Sequence, residues 1–126
     1  YRLDNLMFAS ERGGYPLATV DWQTPGHGSP SADVSYFLGA GPLPEVRRQI
    51  ERPLVERYCA ALGEYGVSLD GDEFWRQYCR DAYAGIVMSV VASQIVGSSD
   101  RSEAMFAAMA TRHTQHALDV GAEGLL

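Results

Sequence analysis

Apolar residues recur every three or four positions through the last two thirds of the chain, from about Leu43 onward. In the first of these segments the recurring residues are Val46, Ile50, Leu54, Tyr58, Leu62 and Tyr65. This spacing places them along one face of a helix. Pro53 falls inside the segment, so we expect a kink or a new helix there. Gly66 is a suitable helix end.

Two further helices are predicted from the same pattern. The first begins near Asp70, whose carboxylate suits a helix N-terminus. Its predicted buried residues are Phe74, Tyr78, Ala82, Ile86, Val90 and Ile95. Asp100 and Glu103 resemble a capping box that opens the last helix, which Gly121 closes. Residues 43–126 are therefore predicted to form a helical bundle.

The first part of the chain has a different pattern. Two short apolar runs, residues 6–9 and 17–20, are separated by turn-forming residues, which predicts a β-hairpin within residues 1–22. Residues 23–42 are rich in Gly and Pro and are predicted to be mostly loop, with a helical turn or two over residues 34–38. The fold class predicted for the whole chain is α+β, mostly α: a hairpin followed by a helical bundle in one domain.

Charge and composition narrow the possible functions. The formal net charge is -6, which argues against binding to nucleic acid or to an acidic membrane surface. All ten basic residues are Arg, so this stretch contains neither a P-loop lysine nor the lysine strand of a kinase. Cys59 and Cys79 are expected to be buried free thiols, which fits a cytoplasmic protein. No apolar stretch is long enough to span a bilayer.

The first 38 residues carry the most chemical information. The chain opens with Y-R-L-D-N-L-M-F, in which Asn5 directly precedes an apolar strand. After the hairpin comes V-D-W-Q, which contains Asp21, and a Gly/Pro-rich loop then leads to S-A-D-V-S-Y-F-L, which contains Asp33.

The order and spacing of these elements resemble the aminoglycoside phosphotransferase and choline kinase-like family of small-molecule kinases, including its ecdysteroid-kinase-like branch. In that family the catalytic loop reads H-G-D-x-x-x-x-N, so the catalytic aspartate would immediately precede Tyr1. By this resemblance Asn5 and Asp21 would bind Mg²⁺, and Asp33 would accept hydrogen bonds from the backbone of the catalytic loop. The chain would be part of the C-terminal lobe of a kinase-like fold.

The resemblance implies Mg²⁺-dependent transfer of the γ-phosphoryl group of ATP, or another nucleoside triphosphate, to a hydroxyl group of a small molecule. The nucleotide-binding lobe and the catalytic aspartate would lie upstream, so the 126 residues alone are expected to be inactive. Apolar residues that would face the missing lobe, including Leu6 and Phe8, are expected to be exposed and to promote self-association of the isolated chain.

Four more residues are candidates for contacts with the substrates. Arg2 is a candidate phosphate contact, because a guanidinium is well shaped for phosphate oxygens, with a structural salt bridge as the alternative. Gln23, Trp75 and Tyr83 are candidates for the acceptor pocket. For the two aromatic residues, packing in the core is the stronger alternative.

Two other functions remain open. A non-catalytic helical interaction module would have inherited the motif without the activity, and the sequence upstream of Tyr1 would distinguish it from a kinase. A lyase or hydrolase would use Asp4 and Asp21 as an acid–base pair, although no histidine flanks them. His113 and His116 form an H-x-x-H pair, but without a third ligand they predict no metal site.

Overall fold

The computed structural model describes residues 2–22 and 25–126 and shows a short antiparallel hairpin followed by four helices. In chain order the elements are a 3-10 turn (Leu3–Asn5), β1 (Leu6–Ser10), β2 (Gly13–Thr19), α1 (Pro30–Ala40), α2 (Pro44–Glu64), α3 (Gly71–Ile95), α4 (Asp100–Asp119) and a second 3-10 turn (Ala122–Leu125). The predicted α+β, mostly α fold class is confirmed.

The hairpin is a two-stranded ribbon in which Phe8 pairs with Leu17. Gly13 and Gly14, at the start of β2, have φ values of +97° and +114°, a region that L side chains rarely adopt. Most residues of both strands are exposed to solvent. Phe8 is 66% exposed, as the sequence predicted, whereas Leu6 is half-buried.

Helices α1, α3 and α4 pack against one another, and α2 contacts all three. The main core cluster is Leu38, Val55, Phe74, Tyr78 and Cys79. Both cysteines are free thiols. None of the described helices is long and apolar enough to cross a membrane.

Helix α1 occupies residues 30–40 of the segment, residues 23–42, that was predicted to be mostly loop. The Ser29 hydroxyl caps the helix by accepting the N–H of Ser31, and Pro30 has a fixed φ that suits the first helical turn. The prediction of a loop with only a helical turn or two was therefore wrong for residues 30–40. Helix α2 runs through Pro53 as one element, so no new helix begins there. The alternative expectation, a kink at Pro53, stays a prediction. Pro53 is exposed, so the carbonyl that lacks its N–H partner can bond water instead.

The buried face of α2 is not the predicted apolar stripe. Arg47 and Glu51 are buried, while Val46 and Leu54 are exposed. The Arg47 Nη1 donates to Oε2 of Glu51 at 2.7 Å, and Nη2 donates to Asp119 of α4. The charged face of α2 can be buried because its charges are paired. A search for apolar periodicity misses this face because its buried residues are charged.

The ends of α3 and α4 also differ from the prediction. Val90 and Ile95 were expected in the core, but both are exposed at the C-terminal end of α3. The capping box of α4 is formed by Ser99 and Ser102, one residue before the predicted pair. The Ser99 hydroxyl accepts the N–H of Ser102 at 3.1 Å, which satisfies one of the free donors of the first turn.

Candidate functional site

Asn5 and Asp21 meet at the open end of the hairpin. The carbonyl of Asn5 accepts the N–H of Val20 at 2.9 Å, which continues the strand pairing beyond β1 and β2. The Nδ2 atom of Asn5 lies 3.4 Å from Oδ2 of Asp21. The backbone pairing thus holds side by side two side chains that are sixteen residues apart. The sequence predicted this proximity.

The backbone of Asp21 has an uncommon conformation. Its φ is 66°, and among the described residues it is the only one other than glycine with a positive φ. For a residue with a Cβ, this left-handed region costs roughly 1–2 kcal/mol. Such conformations persist where the surrounding structure imposes them, and they concentrate at functional sites. Here the chain leaves the strand direction at Asp21, where the carboxylate lies beside Asn5.

The contact between the two side chains is suited to replacement by a cation. Asp21 is exposed and Asn5 is half-buried. A hydrogen bond of 3.4 Å is long, and rotation of the amide by 180° presents its oxygen in place of its nitrogen. The two side chains would then offer a carboxylate and an amide oxygen, which suit Mg²⁺ together with phosphate and water oxygens.

In residues 2–22 and 25–126, no three His, Cys, Asp or Glu side chains lie together so that they could hold a metal ion. From this part of the chain, Asn5 and Asp21 would supply one amide oxygen and one carboxylate to a cation. The residues present fit a Mg²⁺ ion on these terms, because Mg²⁺ commonly keeps several waters and uses only one or two carboxylates.

Arg2 lies against α4. Its Nη1 is 3.6 Å from Sδ of Met105 and 3.9 Å from Sδ of Met109, and its Nη2 is 4.0 Å from the carboxylate of Asp4. Thioether sulfur is a weak acceptor, and an ion pair of this length near the surface contributes little. The Arg2 guanidinium therefore retains strong donors for a ligand, and its contact with a phosphate stays a prediction.

Asp33 is exposed on the first turn of α1, and its carboxylate makes no hydrogen bond to any described residue, including Arg2 and Leu3. Helix formation over residues 30–40 turns Ser31 and Ser35 inward and leaves Asp33 outside. In the first turn of α1, the negative charge of Asp33 is stabilised by the positive N-terminal end of the helix dipole. Tyr1 lies outside the described residues, so the role of Asp33 in bracing the catalytic loop stays a prediction.

The aromatic candidates for an acceptor pocket pack between helices. The ring of Trp75 stacks on Tyr78 at 5.0 Å, and the Arg52 guanidinium lies 4.7 Å from the centre of the indole. Tyr83 packs against a cluster of alanines from α3, α4 and the second 3-10 turn. These are packing roles, and an additional contact with an acceptor stays a prediction. Gln23 lies outside the described residues.

Sequence reasoning missed the environment of His113 and His116, which are completely buried. The His113 ring stacks on Tyr36 at 5.0 Å, and Nε2 of His116 lies 3.6 Å from Oε2 of Glu51. Within the described chain, no ring nitrogen of either histidine has a hydrogen-bond partner. Burial lowers the pKa of His113 to about 4. Burial, and next the charge of Arg47, lower the pKa of His116 to about 3.

The buried charges near these histidines are well paired. The Tyr78 hydroxyl donates to Oε2 of Glu51 at 3.0 Å, and burial followed by the Glu51 charge raises the pKa of Tyr78. Although burial acts to raise the pKa of Asp119, hydrogen bonds from Arg48, Gln115 and Arg47 lower it. This network joins α2, α3 and α4, and it is a stabilising feature separate from the Asn5–Asp21 pair.

Comparison with known proteins finds one family match. A model of the ecdysteroid kinase-like family matches residues 1–70. The match covers the hairpin with Asn5 and Asp21, α1 and the whole of α2. No curated protein and no solved structure matches the chain significantly.

Proposed function

The chain belongs to the ecdysteroid kinase-like family, and on this basis we propose that it forms the metal-binding side of a phosphotransferase active site. The reaction would move the γ-phosphoryl group of ATP, or another nucleoside triphosphate, to a hydroxyl group of a small molecule. The observation that carries the proposal is the contact of Asn5 with Asp21 at 3.4 Å. A strained, exposed carboxylate beside an amide is the donor pair that the reaction requires.

In this proposal the hairpin backbone holds the two metal-binding side chains in position. The backbone pairing of Asn5 with Val20 fixes the amide, and the left-handed backbone of Asp21 directs the carboxylate to the same place. A bound Mg²⁺ would neutralise the charge on the phosphate oxygens. Phosphoryl transfer depends mainly on positioning and on charge stabilisation, so a rigid pair of oxygen ligands is a large part of what the protein must supply.

The proposed activity is that of a longer protein that contains these residues. By resemblance to the H-G-D-x-x-x-x-N loop, the general base that orients the acceptor hydroxyl would precede Tyr1, and a second lobe would bind the nucleotide. We also propose the cytoplasm as its compartment, because both cysteines are free and free thiols are typical of reducing compartments. We propose neither nucleic acid nor a membrane as a partner.

The activity is tested by comparing Asp21→Asn with Glu11→Gln in a protein extended upstream. Phosphate transfer should fall below a few per cent for Asp21→Asn, because the metal loses its carboxylate, and should largely persist for Glu11→Gln. Glu11 is the matched control since it is an exposed carboxylate in the turn of the same hairpin. Phosphate transfer that survives Asp21→Asn would contradict the proposed site.

Metal binding is tested on the 126-residue chain itself with Mn²⁺, which broadens nearby NMR signals. The side-chain NH₂ signals of Asn5 should broaden in the wild type and in Asp33→Asn, but not in Asp21→Asn. Asp33 is a fair control because it is an exposed carboxylate on a different element. Unselective broadening in all three proteins would contradict the proposed site.

A non-catalytic interaction module is the second candidate. The exposed apolar residues of the hairpin favour it, since Phe8 and Tyr15 are largely exposed to solvent and such surfaces commonly bind other proteins. Such a module needs no cation. An unbroadened Asn5 signal in the wild type would therefore support the module over the kinase.

A further inference from the structure

A cavity of about 190 Å³ lies between the 3-10 turn Leu3–Asn5 and the helices α1 and α4. Its apolar lining consists of Leu3, Phe37, Ala40, Met105, Ala108 and Met109. An apolar protein cavity of about 150 Å³ holds one benzene molecule. The cavity therefore has room for a single six-membered ring and little more.

Four polar side chains also line the cavity: Arg2, Asp4, Tyr36 and Arg112. Burial raises the pKa of Tyr36 and the charge of Arg2 opposes the rise, so the phenol is a neutral hydrogen-bond donor. The cavity therefore has two guanidinium groups and a phenol as donors, and one exposed carboxylate.

Neither guanidinium is fully engaged by the protein. Among residues 2–22 and 25–126, Arg2 reaches only two thioether sulfurs and the distant carboxylate of Asp4. The Nη1 atom of Arg112 donates to the carbonyl oxygens of Ala40, at 2.8 Å, and Gly41, at 3.4 Å. No hydrogen bond from its Nε or Nη2 to a described residue is present. Donors of this kind pair best with a carboxylate, whose two oxygens match the planar guanidinium.

We propose that this cavity binds a small molecule made of one six-membered ring and a carboxylate. The ring would lie against Leu3 and the two methionines, and the carboxylate would accept hydrogen bonds from Arg2 and the Tyr36 hydroxyl. A singly charged acid fits better than a phosphate ester, because two arginines and one aspartate leave a net charge near +1 and a second negative charge beside an apolar wall is costly to desolvate.

The residues that line the cavity relate it to the proposed reaction. Leu3 and Asp4 belong to the turn that ends in Asn5, so a ligand here lies beside the catalytic loop. The inference rests on the proposed function in this respect: the ligand is the phosphoryl acceptor, a ring acid that carries a hydroxyl group. Binding of the acid itself requires neither Mg²⁺ nor nucleotide, so it is measured separately from the reaction.

The test is an NMR titration of the 126-residue chain, labelled at its methionine methyl groups, with benzoate and with neutral benzamide. Ring currents from bound benzoate should shift the methyl signals of Met105 and Met109 in a saturable way. Benzamide should bind about tenfold more weakly, since it lacks the charge that strengthens the hydrogen bonds. Met7 and Met88 lie outside the cavity lining and are exposed, so their signals should stay in place.

Variants at position 2 test whether the Arg2 guanidinium binds the carboxylate of the ligand. Arg2→Gln should weaken benzoate binding about tenfold and leave benzamide unchanged, while Arg2→Lys should lie between the two. Arg101→Gln, at an exposed position of α4, is the matched control and should bind like the wild type. Circular dichroism spectra that match the wild type confirm that each variant is folded.

Two results would overturn the inference: equal binding of benzoate and benzamide, or shifts of Met7 and Met88 as large as those of the cavity methionines. If benzoate fails to bind while Asp21→Asn still abolishes phosphate transfer, only the ligand assignment is wrong. If benzoate binds and the extended protein transfers no phosphate, the proposed function is wrong and the cavity remains.

Discussion

Gly39 of α1 lies so close to His113 of α4 that a Cβ at position 39 would come within 2.5 Å of the imidazole Nδ1. Real Cβ atoms do not approach other atoms this closely, so either the backbone or a buried ring would have to move. Gly85 of α3 faces the same ring, and a Cβ there would overlap it. The two glycines therefore allow three helices to close around one histidine.

We expect Gly39→Ala to destabilise the fold by about 1–3 kcal/mol, because the added methyl group overpacks the core. Gly63→Ala is the matched control. Gly63 lies in α2 with no atom within 4 Å of an added Cβ, so alanine there should stabilise the helix by up to about 1 kcal/mol. Urea unfolding followed by circular dichroism measures both changes. Equal stabilities of the two variants would contradict the close approach.

Asp21→Gly should separate stability from metal binding. Glycine adopts φ near 66° without penalty, so this variant should be about 1 kcal/mol more stable than Asp21→Ala, which keeps the strain. Both variants lose the carboxylate, so neither should show Mn²⁺ broadening at Asn5. Thermal unfolding and the NMR titration give the two readouts. If both variants unfold at the same temperature, the left-handed conformation is not imposed by the fold.

The stability of the fold should fall between pH 6.5 and pH 4. The folded-state pKa values of His113 and His116, about 4 and about 3, lie below the ordinary 6.5, so the unfolded chain binds protons first as the pH falls. The stabilisation from the two neutral rings is full above pH 6.5 and decreases below it. At pH 5 the loss should be roughly 4 kcal/mol for the pair.

Unfolding in urea at pH 7.5, 6 and 5 measures this loss. The lowered pKa of Asp119 has its effect below the ordinary aspartate value, and therefore outside this range. His27→Gln is the control, because His27 is exposed in the loop before α1 and lies outside the buried pair of His113 and His116. A stability that is constant from pH 7.5 to pH 5 would show that the two rings are hydrated in the folded state.

The isolated chain should self-associate through the hairpin, because Phe8 and its partner Leu17 form an exposed apolar surface. Phe8→Ser should weaken the association roughly tenfold, by removing the transfer free energy of one large side chain. Ile95→Ser is the control, because Ile95 is also strongly exposed but lies at the end of α3. Sedimentation equilibrium at several concentrations measures both. If Ile95→Ser has the larger effect, α3 rather than the hairpin is the contact surface.

The features that the sequence predicted are local ones. The hairpin follows from turn-forming residues between two apolar runs, and its register brings Asn5 to Asp21. The missed helix α1 buries Ser31 and Ser35, which produce no apolar periodicity. The Ser31 hydroxyl is instead satisfied by Asp81 of α3, a partner that is fifty residues away. Long-range pairing of this kind cannot be deduced from spacing along one segment.

The burial of His113 was missed for a related reason. An H-x-x-H pair on a helix is consistent with exposure, burial or metal binding, and only the facing glycines of α1 and α3 reveal which applies. Those glycines are far from the histidines in sequence. The cavity beside Arg2 is likewise formed by elements about a hundred residues apart. The sequence singled out Arg2 as a candidate ligand contact, but it could not predict that residues of α4 lie opposite Arg2.

The pairing of Arg47 with Asp119 determines where the chain can be shortened. Asp119 is the last residue of α4, and its carboxylate joins the buried Arg47 to the bundle. A chain that ended at Leu118 would lose the buried Ala122 and the partly buried Val120 and Leu125. It would also leave the Arg47 guanidinium in the interior with Glu51 as its remaining carboxylate partner. Additions after Leu126, which is exposed, carry no such cost, so the C-terminal end tolerates a fusion partner better than a deletion of eight residues.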